Sequence, residues 1–200
     1  ANGVDVDQQG KNDSDIDIVG SSNDVSVAQD NRVTAYLGTE NVSTVDILGN
    51  SNEVDVDQAS DNNSDIDIFG SRNLVSVAQD GNQSSTVEVS GFFGGDDNAV
   101  TVNQGNFGTS LVGWSNDSLV DIYGDDNTVT VNQEGGNTSN VSISGTLFGG
   151  GDNNVLNIDQ SGANTLTASI YGDNNNASGA FGGDAAFAAA GSLNPGDMFQ

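Results

Sequence analysis

Carboxylates recur in pairs two residues apart: Asp5 and Asp7, Asp15 and Asp17, Asp55 and Asp57, Asp65 and Asp67. In an extended strand that spacing puts both carboxyl groups on one face. Paired carboxylates support two kinds of chemistry. One is acid–base hydrolysis, in which one carboxyl protonates and the other activates water. The other is capture of a hard cation such as calcium, which takes carboxylate oxygens. The chain has no Cys and no His. Thiol nucleophiles, His-based triads, Cys/His zinc sites and disulfides are thereby excluded. A hydrolase gathers its carboxylates at one cleft. Here they recur with a repeat of the whole sequence, which accounts for them without catalysis, so the chain is expected not to be an enzyme.

Twenty-nine acidic residues face three basic ones, Lys11, Arg32 and Arg72, for a formal net charge of −26. Such a surface repels nucleic acid and anionic membrane, and no run reaches transmembrane length. Neither nucleic acid nor membrane insertion is expected. The first residues carry no charged n-region and no apolar h-region, which fits a cytoplasmic chain or one whose export signal has been removed. Two unit charges about 4.8 Å apart repel by roughly 0.9 kcal/mol in water. Salt relieves that repulsion, and calcium does so by coordination. The Gly-Gly-x-Gly-x-Asp nonapeptide of calcium-binding β-rolls is absent as a repeat, with "YGDDN" and "GGDDN" as partial echoes. No cofactor is expected on this reading, with calcium as the alternative.

The elements that position these carboxylates come from an internal repeat. "GSSNDVSVAQD" at 20–30 returns as "GSRNLVSVAQD" at 70–80. One arm reads N-x-Φ-x-Φ-x-Q, with Φ aliphatic. It starts at Asn2, Asn23, Asn52, Asn73, Asn98, Asn127 and Asn154, and it ends at Gln8, Gln29, Gln58, Gln79, Gln104, Gln133 and Gln160. A second arm opens with Ser in six of seven cases and closes at Gly20, Gly49, Gly70, Gly91, Gly124, Gly145 and Gly172. Its seventh copy has Leu166 in place of Ser, as an atypical terminal repeat would. The basic unit is about 21 residues. Insertions fall near 33–40, 91–97, 107–114 and 145–151, and they bring Phe92, Phe93, Phe107, Trp114 and Phe148 to an edge or loop. These aromatics could contact a sugar, pack laterally or cover the solenoid edge.

A period of two is the period of a strand. Val and Ile point one way; Asp, Ser, Thr and Asn point the other. Two arms folded face to face and stacked in register make a thin continuous core. The expected fold is all-β, a flat parallel β-solenoid of strand–arc–strand rungs, about seven rungs over residues 1–176. A Gly/Ala-rich segment, 177–200, follows as a cap or inter-subunit joint. The Asn and Gln residues share parity with the inward valines and are expected to form amide ladders down the stack. The wet face carries Asp5, Asp7, Asp15, Asp17, Asp55, Asp57, Asp65 and Asp67. The rung with Ser26 and Ala28 separates its first two acidic rungs.

These repeats resemble those of curlin, the subunit of bacterial curli fibres. "NDVSVAQ" at 23–29, "NEVDVDQ" at 52–58, "NAVTVNQ" at 98–104 and "NTVTVNQ" at 127–133 match the family's Asn-to-Gln arm. "SDIDIVG" at 14–20 and "SDIDIFG" at 64–70 match its Ser arm, with Gly where the family has Gln. The resemblance covers roughly residues 2–172. It implies an extracellular or cell-surface protein, exported unfolded, that polymerises head to tail with itself into cross-β fibres of a biofilm matrix. Secretion and nucleator proteins would be further partners. Independently, open solenoid ends with unpaired backbone groups favour end-to-end contact, and the opening "NGVDVDQ" is already a full arm. The alternative is a non-polymerising stalk or adhesin module that binds calcium or carbohydrate. It is favoured by the net charge, which opposes end-on growth at low salt.

Overall fold

The computed structural model describes residues 1–31, 40–90, 95–105, 115–144, 151–181 and 185–190. Its strands are β1 (Gly3–Gly10), β2 (Asn12–Val19), β3 (Asp24–Asn31), β4 (Asn41–Leu48), β5 (Glu53–Ala59), β6 (Asn63–Phe69), β7 (Leu74–Asp80), β8 (Ser84–Ser90), β9 (Ala99–Gly105), β10 (Asp117–Tyr123), β11 (Thr128–Gly135), β12 (Thr138–Ser144), β13 (Val155–Gly162), β14 (Thr165–Tyr171), β15 (Asn176–Phe181) and β16 (Ala185–Ala190). Odd-numbered strands form one eight-stranded sheet and even-numbered strands a second. Every pairing is parallel, and each strand sits between the ones before and after it in its own series. The result is a flat parallel β-solenoid.

Register is constant from end to end. Val4 lies opposite Val25, and the column runs on through Val54, Val75, Val100, Val129, Leu156 and Ala177. In the second sheet Ile18 leads through Ile47, Ile68, Val89, Ile122 and Ile143 to Ile170. These columns are largely β-branched, and such side chains are stiff and pack well on a pleated surface. From the second rung to the seventh they form one core, with Val25, Val45, Ile66, Val87, Val120 and Ile158 fully buried. A slip of one residue would turn every one of them to water.

The stack has eight rungs, one more than the arm count of the sequence. The solenoid was expected over residues 1–176, with 177–200 a cap or inter-subunit joint. Instead β15 pairs with β13 and β16 with β14, in the register of the rungs before them. Ladder bonds are made by backbone groups, so Ala and Gly can hold positions where Val and Ile stand elsewhere. The aliphatic pattern fades here, but the pairing does not.

The turn closing each rung is set by two columns. The residue before each ladder Asn is left-handed: Ser22, Ser51, Arg72, Asp97, Asp126, Asn153 and Asn174 all have φ between 55° and 61°. Two residues earlier stands Gly. Sequence spacing assigned Gly91 and Gly145 to this column, but those two lie outside the described residues and Gly95 and Gly151 occupy it. Gly95 O accepts the Asn73 side-chain amide, as Gly49 O accepts that of Asn23. A Cβ on Gly124 would meet Gly151 O. The constant Gly-x-x-Asn spacing of "GDDN" and "GDNN" marks the true column, and the insertions enter just ahead of it.

A Cβ placed on Gly49 would lie 1.6 Å from the carbonyl oxygen of Gly70 in the next rung. No side-chain rotation relieves a Cβ-to-backbone clash. Gly49→Ala is therefore expected to lower the unfolding free energy by about 1–3 kcal/mol, read as a lower denaturant midpoint. Ser51→Gly, two residues on in the left-handed position, should leave the midpoint unchanged or raise it.

Candidate functional site: amide ladders and carboxylate columns

Every Gln of the repeating arm donates to the next. Gln8 Nε2 bonds Gln29 Oε1 at 2.6 Å, Gln29 bonds Gln58 at 2.7 Å, and Gln58 bonds Gln79 at 2.9 Å. The series continues through Gln104 and Gln133 to Gln160. The same Nε2 also crosses to the other sheet: Gln29 reaches Asp13 O, Gln58 reaches Val42 O and Gln79 reaches Asn63 O. From Gln29 on, each glutamine thus ties rung to rung and sheet to sheet.

The Asn ladder runs the opposite way. Asn23 donates its backbone N–H and its Nδ2 back to Asn2 Oδ1, Asn52 does the same to Asn23, and Asn73 to Asn52. The pattern holds through Asn98, Asn127, Asn154 and Asn175. Because a backbone N–H shares the acceptor, Oδ1 must face that way, and the amide orientation is not free. A third ladder escaped the sequence reading. It joins Asn12, Asn41, Asn62, Gln83, Asn116, Asn137 and Asn164. Its signal was present as an amide two residues before each Ser of the second arm.

Those serines form a buried column. The hydroxyls of Ser14, Ser43, Ser64, Ser85, Ser118 and Ser139 have no hydrogen-bond partner. A glutamine amide of the facing sheet bonds the carbonyl of the residue just before Ser14, Ser43 and Ser64, or its equivalent. A small side chain leaves room for that crossing. Leu166 holds the place in the seventh rung.

The carboxylates fall in outward columns of unequal character. In the first sheet Asp5 and Asp55 are separated by Ser26, and Asp7 and Asp57 by Ala28. In the second sheet Asp15 and Asp65 are separated by Thr44. One column has no such relief: Asp17, Asp46, Asp67, Glu88 and Asp121 stand on five successive rungs. The expected alternation fails here because the arms at 43–49 and 85–91 also carry an acid at this position. Burial, then the charges of Asp65, Asp46 and Glu88, raise the Asp67 pKa above its ordinary value. Burial does the same to Asp121.

A second acidic series lies in the turns. Asp96, Asp125, Asp152 and Asp173 each accept the backbone N–H of the rung before, at 2.7 to 3.2 Å. Arg72 caps the series, 2.6 Å from Asp97 and 3.3 Å from Asp96, and its hydrogen bond holds the Asp97 carboxyl below its usual range. Asp125 is raised, by burial first and then by Asp152, Asp96 and Asp126, against a lowering hydrogen bond from the Asp96 backbone. Among the described residues no group of three or more carboxylates is placed to hold a metal ion. No helix of the described residues is long and apolar enough to cross a membrane. A groove of about 690 Å³ follows the Gln edge of the first sheet, lined by Ala59, Ala78, Asn103, Asn132 and Asp159 among others. The aromatics Phe92, Phe93, Phe107, Trp114 and Phe148 lie outside the described residues.

Three predictions follow from these columns. A raised carboxyl pKa means the fold binds more protons than the unfolded chain, so that share of stability is present at low pH and lost as pH rises through the folded-state value. For Asp67, Asp121 and Asp125 the melting temperature should therefore rise as pH falls from about 7 toward about 4. Asp67→Asn removes two repulsions of roughly 0.9 kcal/mol each before screening. It should stabilise by about 1 kcal/mol at neutral pH and low salt, flatten the acid gain, and lose its advantage in high salt. Ser64→Ala removes a buried hydroxyl that makes no bond, and is expected to raise the unfolding free energy by about 1 kcal/mol. Calorimetry across pH and salt reads all three.

The chain matches no family model, no curated protein and no solved structure; its fold rests on its own register and hydrogen bonds.

Proposed function

We propose that this is a non-enzymatic structural protein whose rungs template further copies end to end, giving an extracellular cross-β fibre of the kind the curlin resemblance implies. One observation carries the reading. Eight rungs share one register, and the Gln and Asn ladders repeat the same bonds from rung to rung, so each rung is built on the pattern that it offers to the next. Burying apolar surface at roughly 25 cal/mol per Å² favours a further rung of like register, and strand edges offer a parallel strand their ladder bonds. Growth of this kind is heterologous and does not close.

The charge sets the conditions. Carboxylate columns continued from copy to copy extend the repulsion, so assembly belongs to salt-rich water or to water containing calcium. A second reading, a stalk or adhesin module that binds carbohydrate, is favoured by the groove along the Gln edge.

Purified protein is expected to form unbranched fibres with an axial repeat of about 4.8 Å, faster in about 0.5 M salt than in about 0.02 M. Electron cryomicroscopy and sedimentation, with and without calcium, read the outcome. Rods that stay single under every condition, yet retain a soluble oligosaccharide, would favour the groove.

A further inference from the structure

A groove runs along the axis on the outer face of the first sheet, beside the Gln edge. Two neighbouring outward columns shape it. One holds Asp57, Ala78, Asn103, Asn132 and Asp159. The other lies two residues further along each strand and holds Ala59, Asp80, Gly105 and Glu134. All of them line the groove of about 690 Å³. It is concave because short residues stand beside long ones. Ala59, Ala78 and Gly105 rise little above the backbone and make an apolar floor. Asp57 and Asp80 flank one end of it, and Glu134 and Asp159 the other. Five rungs at about 4.8 Å each step make the groove about 19 Å long.

The lining is rich in acceptors and poor in donors. Asn103 turns its Nδ2 to Asn132 Oδ1 at 2.8 Å, and Asn132 turns its own to Asp159 Oδ1 at 2.6 Å. With its N–H₂ group turned forward, Asn103 leaves Oδ1 toward the preceding rung, where Ala78 has nothing to donate. Carboxylates only accept. Lys11 is paired with Glu40 and Arg72 with Asp96 and Asp97, and neither lines the groove. A neutral glycan brings as many oxygen acceptors as hydroxyl donors, and acceptors that meet no donor weaken binding. The matching ligand donates N–H groups at intervals, carries positive charge, and is methylene in between, as alkyl stems are where they cover apolar surface.

We propose that this groove binds a linear aliphatic polyamine laid along the solenoid axis. One terminal ammonium meets Asp57 and Asp80, and the other meets Glu134 and Asp159. An inner nitrogen donates to Asn103 Oδ1, and the methylenes cover the floor of Ala59, Ala78 and Gly105. Charge-assisted hydrogen bonds anchor the ends, and burial of the methylenes adds to them. The two carboxylate pairs are centred about 14 Å apart along the axis. A tetra-amine such as spermine covers that span, and the short diamine putrescine does not. The inference goes beyond end-to-end assembly, because the groove lies on the side of the rod. A single rod and a fibre present it alike.

A chain of net charge −26 attracts any polycation, so the test must separate the groove from the surface at large. Isothermal titration calorimetry of the full chain is run in about 0.15 M salt, where charges beyond about 8 Å are screened. Spermine is expected to fill a single saturable site about tenfold or more tighter than putrescine. Ala78→Leu keeps every charge and fills the floor, and should weaken spermine about tenfold. The Glu134→Gln, Asp159→Asn double variant should weaken it at least as much. The Asp17→Asn, Asp46→Asn double variant removes the same charge from the other sheet and should change it less than about twofold. Melting curves identify folded variants, and the Glu134→Gln, Asp159→Asn pair carries the test where Ala78→Leu does not fold. Equal weakening by the two double variants, with Ala78→Leu silent, would show attraction to the acidic surface as a whole and overturn the site. A neutral oligosaccharide that binds and is lost in Ala78→Leu, while spermine binding is unmoved, would give the groove to a glycan and overturn the polyamine. A chain that shows no saturable spermine binding would overturn it outright.

Discussion

A primary amide buried in a stack of identical rungs must place a donor on one neighbour and an acceptor on the other. That requirement governs the whole molecule. It holds only if successive rungs sit about 4.8 Å apart with no stagger, and a single lateral slip would leave buried amides unpaired along the entire column. The valine and isoleucine columns supply the driving force, but apolar packing tolerates small shifts and the amides do not. Three ladders at three places on the rung, anchored by Asn2, Gln8 and Asn12, therefore hold each rung in rotation as well as translation. Two of them point toward the first rung and the Gln ladder points toward the last. Opposed amide dipoles limit the net field along the axis, which a one-way set would accumulate.

Electrostatics acts against this order. The column from Asp17 to Asp121 places five carboxylates on successive rungs, and among the described residues no basic side chain pairs with it. Lys11 pairs with Glu40, and Arg72 with Asp96 and Asp97. The turn series is treated differently. There each stacked Asp receives a backbone N–H, a charge-assisted bond that offsets part of the crowding. One acidic column is thus built into the backbone pattern and the other is left to the solvent. The solvated column makes stability depend on proton and salt activity, and Asp125 of the bonded series, its pKa raised by burial, adds to the proton dependence.

Most of the fold was legible because the repeat is short and its constraints are local. Alternation of Val with Asp or Ser fixes strand faces, and the unvarying Asn-to-Gln spacing fixes register. Three features were not legible, each for a physical reason. The eighth rung hides because β15 and β16 pair through backbone groups while their side chains have lost the aliphatic signature. The third ladder hides because Asn12 and its equivalents lie one step outside the stretch in which hydrophobic alternation is strongest. The Gly column was misplaced at Gly91 and Gly145 because an insertion breaks the count from the strand side. Counting back from the ladder Asn, where close approach to the next rung's carbonyl demands glycine, leads to Gly95 and Gly151. The acidic face was legible as stacked outward positions, but the unbroken column was not, since Glu88 fills the step between Asp67 and Asp121.

The Gln ladder finishes at Gln160 in the seventh rung, whereas the Asn ladder continues to Asn175 in the eighth. Opposite Gln160 the eighth rung has Phe181, and opposite Leu156 and Ile158 it has Ala177 and Gly179. That rung is therefore aligned by its backbone ladder and the turn-side amide, without the aliphatic column that drives the rungs before it together. Register in this solenoid resides in the amides, and the driving force in the aliphatic columns that they align.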